Sequence, residues 1–148
     1  MDAHAAARSL IGVWGLEAIR DRLSDGRVVD HPDFGPGPVG RLVYTESGHV
    51  SVNLMRAGRP PWLEEDAPTD LERARSAAGY GAYAGRYTVH EEEGFVLHHV
   101  EVALIPNRVG RDLKRFFSFS GELLMLRPPL VHRNGFAIER TLVWRRVA

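Results

Sequence analysis

The feature that most constrains this chain is a short run of alternating apolar and polar residues, which recurs and is ended each time by Gly, Pro, Asn or Ser. An alternation with a period of two is typical of antiparallel strands that bury one face. The pattern predicts eight strands, near residues 12–22, 39–45, 48–55, 84–90, 95–104, 112–119, 122–127 and 137–146. Eight short strands in a chain of 148 residues favour an all-β, antiparallel closed barrel, because closure removes the edges that an open sheet exposes.

The stretch between the third and fourth predicted strands departs from this rhythm. It begins as an irregular, proline-containing segment over residues 56–68. A helix follows, because Thr69 and Glu72 have the spacing of a capping box. Apolar residues then continue at helical spacing, at Leu71, Ala74, Ala78 and Ala82. Hairpin loops normally have about two to five residues, and long excursions often serve as lids or binding loops. We expect this short helical insertion to lie over one mouth of the barrel.

Composition and charge exclude several classes of protein. The chain has no cysteine, which excludes a disulfide framework, thiol catalysis and thiolate metal sites. Its 19 basic and 19 acidic residues balance, so no net positive field attracts nucleic acid or an anionic membrane. No uncharged stretch approaches the roughly 20 residues of a bilayer span, and Met1-Asp2-Ala3-His4 lacks the basic and apolar regions of a secretion signal. We expect one cytoplasmic domain over residues 1–148, with neither nucleic acid nor a membrane as a partner.

Strand register decides which polar groups can meet a ligand, because successive side chains of a strand point to opposite faces. The turn over residues 45–49 fits a three-residue hairpin with a glycine bulge, which places Tyr44 opposite Val50. Alternation around the barrel then directs mainly apolar side chains inward, among them Trp14, Leu16, Ala18, Leu42, Val52, Leu54, Val96, Val100, Val102, Leu104, Phe117, Leu142 and Trp144. The polar side chains of the predicted interior are few, namely Tyr44, Tyr83, Tyr87, His98, Arg115 and Arg140. It contains no acidic residue, since Glu17 and Asp21 are predicted to point outward.

Short motifs spread along the chain carry a family resemblance. Gly12-Val13-Trp14 is similar to the Gly-x-Trp signature of lipocalins, and Arg145 and Arg146 are similar to the arginine that packs near that tryptophan. The other motifs are Gly40-Arg41-Leu42-Val43-Tyr44-Thr45, Gly48-His49-Val50-Ser51-Val52, Gly79-Tyr80-Gly81-Ala82-Tyr83 at the helix end, His98-His99-Val100-Glu101 before Pro106-Asn107, and Leu142-Val143-Trp144. From about Leu10 to Val147 the chain resembles the lipocalin-like domain family of small bacterial calycin-type barrels. The resemblance implies a calycin-type barrel, and some members of the family sit among natural-product biosynthetic proteins.

Three interior polar residues are candidates for catalysis. On an apolar wall His98 would be neutral, since desolvation disfavours its charged form, and a neutral imidazole can act as a base or a hydrogen-bond donor. Arg115 keeps its charge, so it needs a carboxylate, backbone carbonyls, or a carboxylate, enolate or phenolate oxygen of a ligand. We predict catalytic roles for His98, Arg115 and Tyr87. We predict ligand contacts for Trp14, Tyr44, Val52, Leu54, Tyr83, Val100, Phe117, Arg140 and Trp144.

Structural roles for the same residues stay open. His98 could be a buried histidine paired with a neighbour such as Tyr87, and the tyrosines and tryptophans could belong to the core. Arg115 could reach water at a mouth or pair with Glu101, and Arg140 could extend outward. His99 and Glu101 share one strand face, but no third metal ligand follows at a recognisable spacing. We therefore predict neither a metal nor a cofactor.

Three kinds of function are compatible with this sequence. The first is a cofactor-independent cyclase or isomerase, which holds a polyketide-like natural-product intermediate in a reactive conformation inside the barrel. The second is a non-catalytic carrier or sensor of a lipophilic ligand. Both have a hydrophobic small molecule as partner, because an apolar cavity with a few fixed polar groups is the usual form of a small-molecule site. In the third, the helix and Pro60-Pro61-Trp62 form a docking surface for a protein. Whether the chain is an enzyme and whether it forms a homodimer stay open.

Overall fold

The computed structural model describes residues 4–148. Residues 1–3 lie outside the described part of the chain, and with them most of the N-terminal tetrapeptide on which the prediction of no secretion signal depends. Ten strands form one antiparallel sheet. They are β1 (Gly12–Leu23), β2 (Val28–Val29), β3 (Val39–Tyr44), β4 (His49–Met55), β5 (Tyr80–His90), β6 (Phe95–Ala103), β7 (Asp112–Ser120), β8 (Leu123–Arg127), β9 (Val131–Arg133) and β10 (Phe136–Arg146).

Eight of these strands close into the predicted barrel. Each of the long strands pairs with its neighbour in the order β1, β3, β4, β5, β6, β7, β8 and β10, and β10 pairs back to β1. The two short strands β2 and β9 extend the edges of β1 and β10. Thr45 and Gly48 close the hairpin between β3 and β4, and Tyr44 lies opposite Val50 as the turn predicts. Gly48 has a φ of 86°, the left-handed conformation that this turn requires of a glycine.

A short helix that the sequence pattern did not predict covers one end of the barrel, which we call the closed end. Helix α1 (Ala5–Leu10) buries the Leu10 side chain completely against the core. The indole Nε1 of Trp14 donates a hydrogen bond of 2.9 Å to the carbonyl oxygen of Leu10. Arg146 fixes the same segment, since its guanidinium donates to the carbonyl oxygens of Ser9 and Ile11. Two side chains from opposite ends of the chain therefore hold α1 in place.

The predicted helical insertion lies at the opposite end, which we call the mouth. Helix α2 (Asp70–Ala78) begins at the predicted capping box, in which the Thr69 hydroxyl accepts from the backbone of Glu72 and the Glu72 carboxylate accepts from that of Thr69. The helix ends at Ala78, so the prediction that it continues to Ala82 is wrong. The physical reason is that residues 80–83 pair with the end of β4, whose backbone groups need a partner strand. No helix among residues 4–148 is long and apolar enough to cross a membrane.

A β-bulge in the first strand reverses the predicted orientation of the residues that follow it. The pairing of β1 with β10 shifts between Leu16 and Ala18. A bulge inserts one extra residue, so the side chains beyond it change faces. Ile19 and Asp21 therefore lie inside, and Asp21 is only 1% exposed. The predictions that Asp21 points outward and Ala18 inward are wrong for this reason.

A second bulge, in β6, also reverses the predicted orientation of the side chains that follow it. Val100 pairs with Gly85, whereas Val102 pairs with Ala84, which leaves Glu101 as the extra residue. Val102 and Leu104 are consequently exposed rather than inside, contrary to the prediction. A Cβ atom at Gly85 would lie 1.9 Å from the carbonyl oxygen of His99. Only a glycine fits where the two backbones approach so closely.

The interior of the barrel is filled at the closed end and open at the mouth. The packed half contains buried apolar side chains from almost every strand, among them Leu10, Trp14, Leu42, Tyr44, Val50, Val96, Val100, Leu124 and Trp144. Leu16, Leu54, Tyr87, Phe117 and Leu142 pack against this core and are partly buried. The division between the two halves decides which of the predicted site residues can meet a ligand.

Candidate functional site

A cavity of about 520 Å³ occupies the half of the barrel nearest the mouth. Five of the predicted site residues contribute to its wall, namely Val52, Leu54, Tyr83, Arg115 and Arg140. The remainder of the wall comes from the strand ends, from α2 and from the loops over residues 31–34, 105–111 and 128–131. The volume is within the usual range of about 300–1,000 Å³ for small-molecule sites.

The other seven predicted site residues lie outside this wall. Trp14, Tyr44, Val100 and Trp144 are fully buried in the packed half, and Phe117 packs against it. Tyr87 also packs there, and its hydroxyl donates to the carbonyl oxygen of Thr45 at 2.7 Å. His98 is buried between the packed half and the cavity. The structure thus separates the residues that the sequence pattern grouped, and their roles toward a ligand stay predictions.

His98 is held by two tyrosine hydroxyls. Its Nε2 lies 2.6 Å from the hydroxyl of Tyr44, and its Nδ1 lies 2.7 Å from the hydroxyl of Tyr83. The pairing with Tyr87 that the sequence left open is therefore not the one formed. Burial lowers the pKa of His98 to about 3, and the positive charge of Arg115 adds to this effect. The imidazole is neutral near pH 7, so one of its nitrogens donates and the other accepts.

This hydrogen-bond chain ends at the cavity. Tyr83 lines the cavity wall, whereas Tyr44 is completely buried. When Tyr44 donates to Nε2 and His98 donates from Nδ1, the Tyr83 proton is free to point toward a ligand. Burial raises the pKa of both tyrosines, more strongly for Tyr44, so neither ionises readily. The chain can thus polarise a ligand oxygen through Tyr83, while full proton transfer from Tyr44 is costly.

Three arginines give the cavity a positive charge. Arg115 reaches it from β7, and Arg108 and Arg111 reach it from the loop between β6 and β7. Among residues 4–148, no carboxylate lies within ion-pair distance of any of the three. Burial, together with the charge of Arg115, lowers the pKa of Arg108. Arg108 also lies over the ring of Tyr83, 6.0 Å from its centroid, so this tyrosine is flanked by cations.

Arg140 differs from these three because it is neutralised. Its Nε and one terminal nitrogen each donate to an oxygen of Asp21 at 2.8 Å, a bidentate pair that is buried on the carboxylate side. The bulge in β1 creates this pair by turning Asp21 inward. The prediction that the interior holds no acidic residue is wrong here, and the pair fixes Arg140 at the wall instead of letting it extend outward.

Sequence reasoning did not identify all of the wall. Arg108 and Arg111 stand in a loop rather than on a predicted strand, so strand alternation gave no information about them. The signal that could have found them is their placement in the connection after Pro106, at the same end of the barrel as the predicted insertion. His31 was also missed. It is buried at the wall, its Nδ1 accepts from the backbone of Asp33, and burial lowers its pKa.

His99 and Glu101, the pair considered for a metal, do not act together. The Nδ1 of His99 lies 2.7 Å from a carboxylate oxygen of Asp112, and its Nε2 lies 2.9 Å from the hydroxyl of Thr88. Glu101 is the extra residue of the bulge in β6. In the described part of the chain, no group of three or more histidine, aspartate or glutamate side chains is placed to hold a metal ion.

At the closed end, the structure confirms the predicted packing of an arginine near Trp14. The guanidinium of Arg146 lies over the ring of Trp14, 4.2 Å from its centroid, whereas Arg145 pairs with Glu17 on the outer wall. The model of the lipocalin-like domain family matches residues 11–147. The chain belongs to this family. In a lipocalin-like domain, a barrel with an open cavity suggests binding of a small hydrophobic ligand. A search of curated proteins gives no match to the chain.

Proposed function

We propose that this lipocalin-like domain binds a hydrophobic small molecule with an anionic or enolic oxygen, and catalyses its cyclisation without a cofactor in the cytoplasm. The observation that carries the proposal is that three arginines without carboxylate partners share the cavity wall with Tyr83, in a cavity with otherwise mainly apolar walls. Arg115 donates to the carbonyl oxygen of Lys114, but no described carboxylate balances its half-buried charge. A buried charge without a counter-charge is costly, and an anionic ligand oxygen would reduce that cost. The ligand is therefore amphipathic, with its oxygen at Arg115 and its apolar part against Val52 and Leu54.

The chemistry that these groups support is polarisation of a carbonyl or enol. The enol carbon would attack a carbonyl carbon of the same molecule: a carbon–carbon bond forms, the carbonyl π bond breaks, and the enol becomes a ketone as its proton passes to the new alkoxide. Arg115 and Tyr83 would both donate to that carbonyl oxygen and stabilise the negative charge that develops on it. The cavity would hold a flexible chain in a folded conformation, which reduces the entropy cost of bringing its reacting carbons together. A cyclisation of this kind rearranges bonds within one molecule, so it needs neither an oxidant nor a second substrate.

The cavity wall favours cyclisation over an isomerisation that begins with proton abstraction. Asp33 is the one carboxylate among the described lining residues, and it is exposed at the mouth. His98 is separated from the cavity by Tyr83, and both its nitrogens are occupied. His31 also lines the wall, but its Nδ1 accepts from the Asp33 backbone, so in the neutral ring Nε2 carries the proton and can only donate. A base beside the bound oxygen is therefore lacking in the described wall, while hydrogen-bond donors are abundant.

The carrier or sensor function is the second candidate. It is favoured by the permanent charge of Arg108, Arg111 and Arg115, which would bind a carboxylate ligand in its ground state. Interactions that are equal in the ground state and the transition state give affinity without catalysis. The two candidates share the same site, and they differ in whether the bound compound changes.

The ligand proposal can be tested with two fluorescent dyes, anionic anilinonaphthalene sulfonate and neutral Nile red. Arg115→Met should weaken binding of the anionic dye about tenfold or more, since a charge-assisted hydrogen bond contributes about 1.5–3 kcal/mol. Binding of Nile red should change much less. Arg86→Met on the exposed outer wall removes the same charge and serves as the control. Equal losses for both dyes, or none for either, would contradict an anion site at Arg115.

A further inference from the structure

Exposed apolar side chains lie at several places on the surface, and three of them share two neighbouring loops at the mouth. The loop between β6 and β7 exposes Ile105 (44%) and Val109 (51%), and the segment after β8 exposes Leu130 (59%). The two loops adjoin because β6, β7, β8 and β10 follow one another around the barrel. Both also contribute to the cavity wall. We call the residues 104–111 and 128–133 the basic rim.

The basic rim has a local excess of positive charge, although the chain as a whole has no net charge. It contains Arg108, Arg111 and Arg133 and no acidic residue. The insertion at the mouth lacks this imbalance, since residues 56–78 contain four arginines beside five acidic residues. The zero net charge of the chain excludes a general attraction to anionic surfaces, but it says nothing about one side of the mouth. Attraction over the Debye length of about 10 Å depends on this local distribution.

We propose that the basic rim docks on a lipid bilayer that contains anionic headgroups. Exposed valine, leucine and isoleucine side chains between arginines are the composition that binds a bilayer interface, with apolar groups among the acyl chains and guanidinium groups at the phosphates. The cavity then opens toward the phase in which a hydrophobic molecule is most concentrated. This inference goes beyond the proposed function, because docking requires no catalysis. Arg108 and Arg111 also line the cavity, whereas Val109, Leu130 and Arg133 do not, so the two proposals can be tested separately.

The test is co-sedimentation of the full chain with vesicles of phosphatidylcholine alone, and with vesicles of phosphatidylcholine and phosphatidylglycerol in equal parts. The protein should bind the second kind, and added salt should weaken that binding. Val109→Ser combined with Leu130→Ser should reduce binding several-fold, and Arg133→Gln should reduce it about fivefold. None of these three residues lines the cavity, so binding of the dyes without vesicles should be unchanged.

The matched controls are Val147→Ser, which removes an equally exposed valine at the closed end, and Arg86→Gln on the outer wall. Both should bind the vesicles like the unchanged protein. The proposal is overturned by equal binding to the two kinds of vesicle, by no binding to either, or by equal losses in the control variants. It is also overturned if light scattering shows that the basic rim joins two copies of the chain and vesicle binding is absent. Loss of dye binding alone would count against the proposed function and leave this inference standing.

Discussion

At the scale of single residues, nearly every buried polar side-chain group of the described residues has a partner, and the buried indole Nε1 of Trp144 is the exception. His98 is neutral because burial and the charge of Arg115 lower its pKa, and each of its nitrogens lies within hydrogen-bond distance of a tyrosine hydroxyl. Arg140 keeps its charge because Asp21 is buried beside it. Arg108 and Arg115 keep theirs without a carboxylate, which is the feature that points to an anionic ligand. Burial combined with pairing separates structural groups from those available for binding.

The low pKa of His98 predicts a stability change with pH. In the unfolded chain an ordinary histidine has a pKa near 6.5, whereas in the folded protein the pKa of His98 is about 3. Between these values the unfolded state binds the proton and the folded state does not, so stability falls as the pH falls through this window. At a pH below both values, this difference in pKa lowers the free energy of unfolding by roughly 4–5 kcal/mol. Urea unfolding at several pH values should show a smaller loss for His98→Gln than for the unchanged protein.

Two further measurements make this result specific. The glutamine retains a donor and an acceptor for the two tyrosines, so the variant should still fold. His132→Gln changes an exposed histidine at the mouth and should leave the pH dependence as it is. An unaltered slope in His98→Gln would show that His98 is protonated in the folded state. If the barrel is an enzyme, the same variant should lower turnover more than it lowers dye affinity.

At the scale of elements, the two bulges determine what the strands present to the interior. The bulge in β1 brings Asp21 to Arg140, and the bulge in β6 turns Val102 and Leu104 to the outside. Helix α2 contributes to the cavity wall although none of its residues is buried. It depends on its capping box and on a hydrogen bond of 2.8 Å from the Trp62 indole to Ser76. An element held in this way opens more easily than the strands do.

The bulge in β6 predicts that Gly85 tolerates no side chain. Gly85→Ala places a Cβ atom 1.9 Å from the carbonyl oxygen of His99. The backbone fixes the positions of both atoms, so no side-chain rotation can relieve the clash. Overpacking of this kind costs about 1–3 kcal/mol or more in the free energy of unfolding, measured in urea. Gly81→Ala, whose Cβ atom would lie 3.3 Å from the Phe34 ring, should cost clearly less. Equal effects of the two substitutions would mean that the bulge is not rigid.

At the scale of the whole molecule, the barrel separates stability from binding. The closed end is packed with aromatic and aliphatic side chains beneath α1, and the mouth holds the cavity, the arginines and α2. Residues deep in the packed half contribute mainly to the free energy of unfolding. Residues of the cavity wall contribute mainly to ligand affinity, since they are incompletely packed without a ligand.

This division predicts opposite effects for two leucines on neighbouring strands. Leu42→Ala in the packed half should lower the free energy of unfolding by about 2–5 kcal/mol and leave the affinity for Nile red unchanged. Leu54→Ala on the cavity wall should cost less stability and should alter the affinity. Urea unfolding and dye titration measure the two quantities. The division is wrong if both variants change both quantities in the same proportion.

Alternation, turn chemistry and short motifs were sufficient to predict the eight long strands, the closure of the barrel, the inward face of β3 and β4, the capping box of α2 and the family. The short strands β2 and β9 were not predicted. The sequence also directed attention to Arg115 and His98. The positions at which the alternation is interrupted could not be predicted in this way, since a bulge is set by how strands far apart in sequence meet around the barrel. The partners of His98, the Arg140 and Asp21 pair, and the approach of Arg108 from a loop follow from that closure. So does the division of the interior, because packing at one end and a cavity at the other depend on side chains from every strand together.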